Sequence, residues 1–173
     1  MSEIKTAVIT GASSGIGLAT AKALAAKGWH IIAHGRDAER LAAAEADIRA
    51  TATGRVDMVK ADLSLLSDTE RLAGDIATLT GAIHVLINNA GGTRAERIIT
   101  PEGNEATFAG NHLGHFLLTK RLLPQLKAAA AASPQGTVRV LSTSSSGHSS
   151  SPVIDWDDLQ QTRDWVSGKS YCL

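Results

Sequence analysis

Apolar residues along this chain fall into short runs separated by glycine-rich or polar breaks, and the stretches between the runs carry helical spacing. The first run, Ile4 to Ile9 with Thr10 closing it, is too short for a helix and ends at Gly11, which predicts a buried strand. An alanine-rich stretch, Leu18 to Lys27, closes at Gly28, a residue suited to the position just past a helix end. Trp29 to His34 reads as a second strand halted at Gly35-Arg36-Asp37. Asp37 then caps a helix that places Leu41, Ala44 and Ile48 on one face. Val56 to Ala61 is a third strand, ending at Asp62-Leu63. Ser67-Asp68-Thr69-Glu70 reads as a capping box ahead of a buried stripe of Leu72, Ile76 and Leu79. Ile83 to Ile87 is a fourth strand, terminated by Asn88-Asn89-Ala90-Gly91-Gly92.

A polar loop, Thr93 to Asn104, leads into a long helical stretch from Glu105 to about Ala132. Pro124 is expected to kink or divide it, because proline removes an internal hydrogen bond. Pro134-Gln135-Gly136 turns the chain into a fifth strand, Val138 to Thr143. Strands and helices alternate without interruption, which argues for an α/β domain with a parallel sheet covered on both faces. A serine-rich loop, Ser144 to Ser151, and a stretch without clear period, Pro152 to Trp165, follow.

Composition narrows the function classes. At 173 residues, 43% of them hydrophobic, the chain suits one domain with a sizeable core. Lys+Arg (17) balance Asp+Glu (17), so neither nucleic acid nor an anionic membrane is an expected partner. The single cysteine, Cys172, excludes an internal disulfide framework and a cysteine-based zinc site. The start, Met1 to Lys5, has no signal-peptide apolar core, and no run is long enough to span a bilayer, so a soluble cytoplasmic protein is expected. The histidines His30, His34 and His84 lie on strands without metal-ligand spacing; core or solvated positions are expected for them, and no metal site. His112 and His115 read as helix-packing residues.

The breaks carry the chemistry. Thr10-Gly11-Ala12-Ser13-Ser14-Gly15-Ile16-Gly17 sits at a strand-to-helix junction, where glycines permit a sharp turn and leave helix amides facing a phosphate. It is not a Walker loop, since no Gly-Lys-Ser/Thr follows. With Asp62-Leu63 after strand three, Asn88-Asn89-Ala90-Gly91 after strand four and Asn111-His112-Leu113-Gly114-His115-Phe116 in the long helix, residues 4 to 173 resemble the short-chain dehydrogenase/reductase family. Within it, the likeness is to the retinol-dehydrogenase-like and WW-domain-oxidoreductase-like members.

That resemblance implies a Rossmann-type doubly wound sheet of order 3-2-1-4-5, with residues 1–173 forming a single NADP-binding domain. The ligand crevice would lie at the carboxyl ends of the strands. Gly11, Gly15 and Gly17, with Ile16 between the last two, would seat the pyrophosphate, with the Ser13 and Ser14 hydroxyls nearby. Asp62, with Leu63, would meet the adenine, and Asn88, Ala90 and Gly91 would form part of the cofactor floor. Where family members carry an acid for the ribose diol of NAD, eighteen positions after Gly17, this chain has Gly35, followed by Arg36. A planar cation suits a 2′-phosphate, so NADP(H) is the expected cofactor; the alternative is that Asp37 takes the diol.

Family members transfer hydride between nicotinamide and a carbonyl or alcohol, using a tyrosine whose pKa of about 10 is lowered by a neighbouring lysine. The resemblance assigns Asn111 to the supporting asparagine, Ser145 to the serine (Ser144 being the runner-up) and Tyr171 to the tyrosine. His148 fits a Ser-x-x-His pattern as a loop residue. The lysine of Tyr-x-x-x-Lys would be residue 175, beyond Leu173, and the later strands of the family are missing, which would leave strand five as an open apolar edge. Two readings follow: part of an NADP(H)-dependent oxidoreductase acting on a small-molecule carbonyl or alcohol, or a truncated, non-catalytic NADP-binding domain. The family's dimers and tetramers make a homo-oligomer an expectation as well.

Overall fold

In a computed structural model of the chain, residues 4–150 and 154–172 are described. Met1–Glu3, the Ser151–Val153 part of the serine-rich stretch and Leu173 lie outside the described residues. Five strands, β1 (Thr6–Ile9), β2 (His30–Gly35), β3 (Val56–Lys60), β4 (Val85–Asn88) and β5 (Arg139–Ser142), form one parallel sheet in the order β3-β2-β1-β4-β5. Between them run α1 (Gly15–Ala25), α2 (Ala38–Arg49) and α3 (Leu66–Leu79). A composite helix follows β4: α4 (Ala106–Phe108), a π-helical turn (Ala109–Leu113) and α5 (Gly114–Ala132). A 3₁₀ turn (Ser146–Ser150) and α6 (Ser167–Cys172) complete the described elements.

β1 and β2 are buried along their whole length because both faces are covered, and the strand period divides the side chains of the central strands between two cores. Val8, Ile32 and Leu86 point to one face, where α3 and α5 supply Leu72, Ile76, Leu118 and Leu122. Ala7, Ile9, Ile31 and Ala33 point to the other, where α1 and α2 supply Ala21, Ala25 and Ile48. The alanines on this second side let α1 lie close to the sheet. The strand order and the doubly wound class follow the expectation.

Several local expectations are corrected. The first helix starts at Gly15 rather than Leu18, so two loop glycines belong to its first turn. Ser67-Asp68-Thr69-Glu70 does not form a capping box, since α3 has Leu65 at its N-cap position with no side-chain cap. Its first amides are bound instead by Glu102, whose carboxylate accepts from Leu66 N (2.5 Å), Ser67 N (3.0 Å) and Ser67 Oγ (2.5 Å). A carboxylate from the Thr93–Asn104 loop thus satisfies both the orphan donors and the positive end of the helix. Glu70 faces outward and pairs with Arg121 of α5, at 2.6–2.8 Å through Arg121 Nε. Pro124 does not divide the long helix, for α5 runs through it unbroken. The irregularity comes earlier, at the π turn. Asp37 caps α2 as expected, its Oδ1 accepting from Arg40 N at 2.9 Å. β5 pairs only with β4 among the described strands, and its Val140 and Leu141, on opposite faces, are 44% and 48% exposed.

Candidate functional site

The carboxyl ends of β1 to β5 open into one cavity of about 1240 Å³. At its centre the β1–α1 loop turns through Gly11 (φ +68°) and Gly15 (φ +54°), both in the left-handed region. A Cβ on Gly11 would stand 2.8 Å from Ala90 Cα, so this glycine allows the loop to touch the turn after β4. Gly15 has open space where its Cβ would be, on the cavity side. Ser14, at the N-cap of α1, makes no side-chain cap bond, and the first turn holds no acid, so among the described residues no side chain caps this helix start, whose Gly15 and Ile16 line the cavity. Gly17 is the one residue of the expected cofactor set that does not line the cavity. It is buried, and a Cβ there would overlap the Gly11 carbonyl oxygen, so it serves the packing of helix on loop.

At one end of the cavity, β2 delivers His34, Gly35 and Arg36. A Cβ on Gly35 would stand 3.0 Å from Leu41 Cδ1 and 3.2 Å from Ser13 Oγ, so a side chain here crowds both neighbours. Arg36 and Arg40 line the same end, both exposed; Arg40, one turn into α2, was not singled out from the sequence, though its spacing from Arg36 was visible. Asp37 is engaged at the helix cap. Asp62 lines the wall, its Oδ1 accepting from Ser64 N (2.9 Å) and Ser64 Oγ (2.8 Å), with Leu63 beside it. His34 is buried, its Nε2–H donating to the Ala61 carbonyl at 3.0 Å and its Nδ1 receiving Gly11 N–H at 3.4 Å. Burial lowers its pKa to about 4, so the ring is neutral near pH 7.

At the other end, Asn111 projects from the π turn and grips Gly92 twice. Its Nδ2 donates to the Gly92 carbonyl at 3.0 Å, and its Oδ1 accepts Gly92 N–H at 3.2 Å. Extra turns of this kind re-aim a side chain without ending a helix. Gly114 lets the turn sit on the loop after β3, since a Cβ there would overlap the Leu63 carbonyl oxygen. Asn88 donates from Nδ2 to Thr119 Oγ1 at 3.0 Å. Its Oδ1 and the Thr107 hydroxyl, both in cavity-lining residues, are buried with no hydrogen-bond partner among the described residues. Ser145 Oγ accepts Gly147 N–H at 3.1 Å, and the Ser145 carbonyl accepts from His148 Nδ1 at 2.7 Å. Tyr171, on α6, is 37% exposed and faces the same cavity, as do Ala90, Gly91, Ile16 and Ser144. Asn111, Ser145 and Tyr171 therefore share one cavity with every expected cofactor residue except Gly17.

His112 stacks on Phe108 (ring centroids 5.4 Å apart) at the cavity rim. His30 and His84 are core residues; His30 Nε2 pairs with Asp57 Oδ2 at 2.6 Å, and His84 Nδ1 accepts Thr6 N–H at 3.0 Å. No helix among the described residues is long and apolar enough to cross a membrane.

Comparison with known proteins agrees with this geometry. The family model described as short chain dehydrogenase matches residues 5–154. Human retinol dehydrogenase 13 is 41% identical over 170 residues, covering 97% of this chain and 49% of its own length. The oxidoreductase fscI of Fusarium equiseti is 41% identical over 152 residues, covering 86% of this chain and 58% of its own. The chain thus spans about half the length of the curated relatives it matches. Among solved structures, an uncharacterized protein from Mycobacterium paratuberculosis superposes with a TM-score of 0.79 at 34% identity, covering 97% of this chain and 56% of that one. The Pseudomonas aeruginosa RhlG/NADP active-site complex superposes with a TM-score of 0.74 at 26% identity, covering 97% and 60%. An NADH-dependent reductase A1-R′ complexed with NAD gives 0.74 at 27%, covering 98% and 66%. With the family model matching most of its length and the glycine loop, strand order and cleft all in place, the chain belongs to the short-chain dehydrogenase family.

Proposed function

We propose that this chain is the nucleotide-binding part of an NADP(H)-dependent oxidoreductase that interconverts a carbonyl and an alcohol. The observation that carries the cofactor reading is the adenosine end of the cleft. A side chain at Gly35 would crowd Leu41 Cδ1 and Ser13 Oγ, Asp37 is engaged at a helix cap, and Arg36 and Arg40 stand together at the cavity. Two guanidinium groups suit a 2′-phosphate better than a free ribose diol. The site fits a dinucleotide on its own chemistry: open space at Gly15, a start of α1 that no described side chain caps, and the unpartnered Asn88 Oδ1 and Thr107 hydroxyl further along. Relatives solved with NADP and with NAD support a nicotinamide cofactor; the preference for NADP rests on this chain's own arginines.

In this reading Gly11, Gly15, Ser13 and Ser14 hold the pyrophosphate with the amides of the first turn of α1, and Arg36 and Arg40 hold the 2′-phosphate. Asp62, Leu63 and the Asn88–Gly91 turn bound the adenine and the floor. The bound cofactor supplies or accepts the hydride. Ser145 donates a hydrogen bond to the substrate oxygen, Tyr171 exchanges the proton there, and Asn111 fixes the floor through Gly92. A small-molecule carbonyl or alcohol is the substrate class, and a reducing, cytoplasmic setting is part of the same reading, as is assembly with further copies. Titration of the chain with NADPH and NADH is the test. NADPH is expected to bind at least tenfold more tightly and R36D to reverse the order; equal affinities in the unmodified chain would overturn the assignment.

A further inference from the structure

His115 occupies the first turn of α5, 8% exposed, where the π turn meets the sheet. Its Nδ1 lies 3.1 Å from the Asn111 carbonyl oxygen, and its Nε2 lies 2.9 Å from Thr10 Oγ1. A carbonyl only accepts, so Nδ1 carries the hydrogen. Burial lowers the pKa of the ring and outweighs the opposing hydrogen bond to the Asn111 carbonyl. The neutral ring therefore has its lone pair at Nε2, and the Thr10 hydroxyl donates into it. With its hydrogen committed, Thr10 Oγ1 accepts the amides of Asn89 and Ala90, each at 2.9 Å. The Ile87 carbonyl, at 3.3 Å, is the longer alternative for the same hydroxyl hydrogen.

These bonds close a circuit. Asn111 holds Gly92 by its side chain and His115 by its main-chain oxygen; His115 holds Thr10; Thr10 holds Ala90, two residues from Gly92. The two middle links, from His115 to Asn111 and to Thr10, depend on one tautomer of one ring. We propose that His115 is a positioning residue, whose imidazole locks the π turn bearing Asn111 to the Thr10–Asn89–Ala90 junction and so sets the nicotinamide-side half of the cleft. The word nicotinamide rests on the cofactor reading above; the lock itself does not. An imidazole that merely filled space would be replaceable by any ring of similar size.

The test uses the whole chain and two variants, H115F, which keeps volume without polar atoms, and H115Q, which keeps one donor and one acceptor. In the unmodified chain, nitrogen-15 resonances of His115 are expected to report a neutral Nδ1–H ring at pH 7; an Nε2–H ring or an imidazolium would overturn the proposal. Amide exchange at Asn89, Ala90 and Gly92 is expected to quicken in H115F and to return toward the original rate in H115Q, with α1 and α2 unchanged. Exchange unchanged in H115F, or quickened equally in both variants, would overturn it. For ligands, H115F is expected to weaken NADPH by about three- to tenfold, the size of one or two lost neutral hydrogen bonds. Adenosine 2′,5′-bisphosphate, which reaches only the other half, should bind as before. Equal weakening of both ligands would mean general damage and count against the lock. If the unmodified chain binds neither ligand, the cofactor reading fails, and the tautomer and exchange measurements still decide the lock.

Discussion

Gly17 lies against Gly11: a Cβ on Gly17 would overlap the Gly11 carbonyl oxygen and stand 2.6 Å from Asn89 Nδ2. The last glycine of the loop is thus a spacer between α1 and the turn it serves, while Gly15 supplies a left-handed backbone beside open space. The two substitutions G17A and G15A separate these roles. G17A is expected to lower stability by roughly 1–3 kcal/mol through overpacking against main-chain atoms that cannot yield. G15A should cost about 1–2 kcal/mol through backbone strain alone. Urea midpoints of the two variants measure both.

The two arginines of the adenosine end make a charge-specific prediction. R36A and R40A should each weaken NADPH by about tenfold or more, the range of a charge-assisted hydrogen bond of about 1.5–3 kcal/mol, while leaving NADH affinity within twofold. Isothermal titration at two salt concentrations checks it, since the phosphate-dependent part must shrink as salt rises.

His34 should make stability depend on pH. Its ordinary pKa is 6.5 and its folded value about 4, because burial outweighs the hydrogen bond to the Ala61 carbonyl and the attraction of Asp68 and Asp62; His115 opposes its charge as well. The unfolded chain therefore binds the extra proton first. The contribution is fully present above pH 6.5 and is lost as pH falls toward 4, a total of roughly 3 kcal/mol. H34Q should flatten the stability profile in that window, as read from denaturation midpoints between pH 7 and pH 4.

Glu102 should matter to α3 more than the serine that resembles its cap. E102Q is expected to cost about 1 kcal/mol, as other lost helix caps do, and S67A clearly less. Hydrogen bonds from Ser67 and from the amides of Ser67 and Leu66 hold the Glu102 carboxyl below its ordinary range. Its stabilisation is therefore fully present above the ordinary carboxylate range and is lost below it, as pH falls through the lowered folded value. Helix-specific amide exchange at Leu66 and Ser67 distinguishes this effect from a general loss of stability.

The strands were legible because each leaves a local mark, an apolar run ended by a glycine or a polar pair; their order and the cleft residues were legible only through the family resemblance that those marks carry. Asp37 behaved as its position predicts because its cap partner, Arg40 N, is three residues away. Glu102 and His115 were opaque for the opposite reason. Their partners stand 36 and 105 residues distant in the chain, and no spacing rule reaches so far. Pro124 was a plausible breaker, yet the tertiary packing of Leu122 and Leu126 holds α5 through it. The true irregularity, the π turn, contains no proline and is marked in the sequence only by Gly110 and the Gly114 that follows it.

The Thr10 junction also says when the site comes into being. Its bonds link residues 79, 80 and 105 positions apart, so no early local structure contains it. Closing loops of that length comes late in the assembly of a parallel sheet. Competence to bind a nucleotide should therefore appear with the slowest refolding phase, after helical signal has recovered. A bound dinucleotide would then report on completed topology, holding together the two halves of a sheet whose strands meet only at the end of folding.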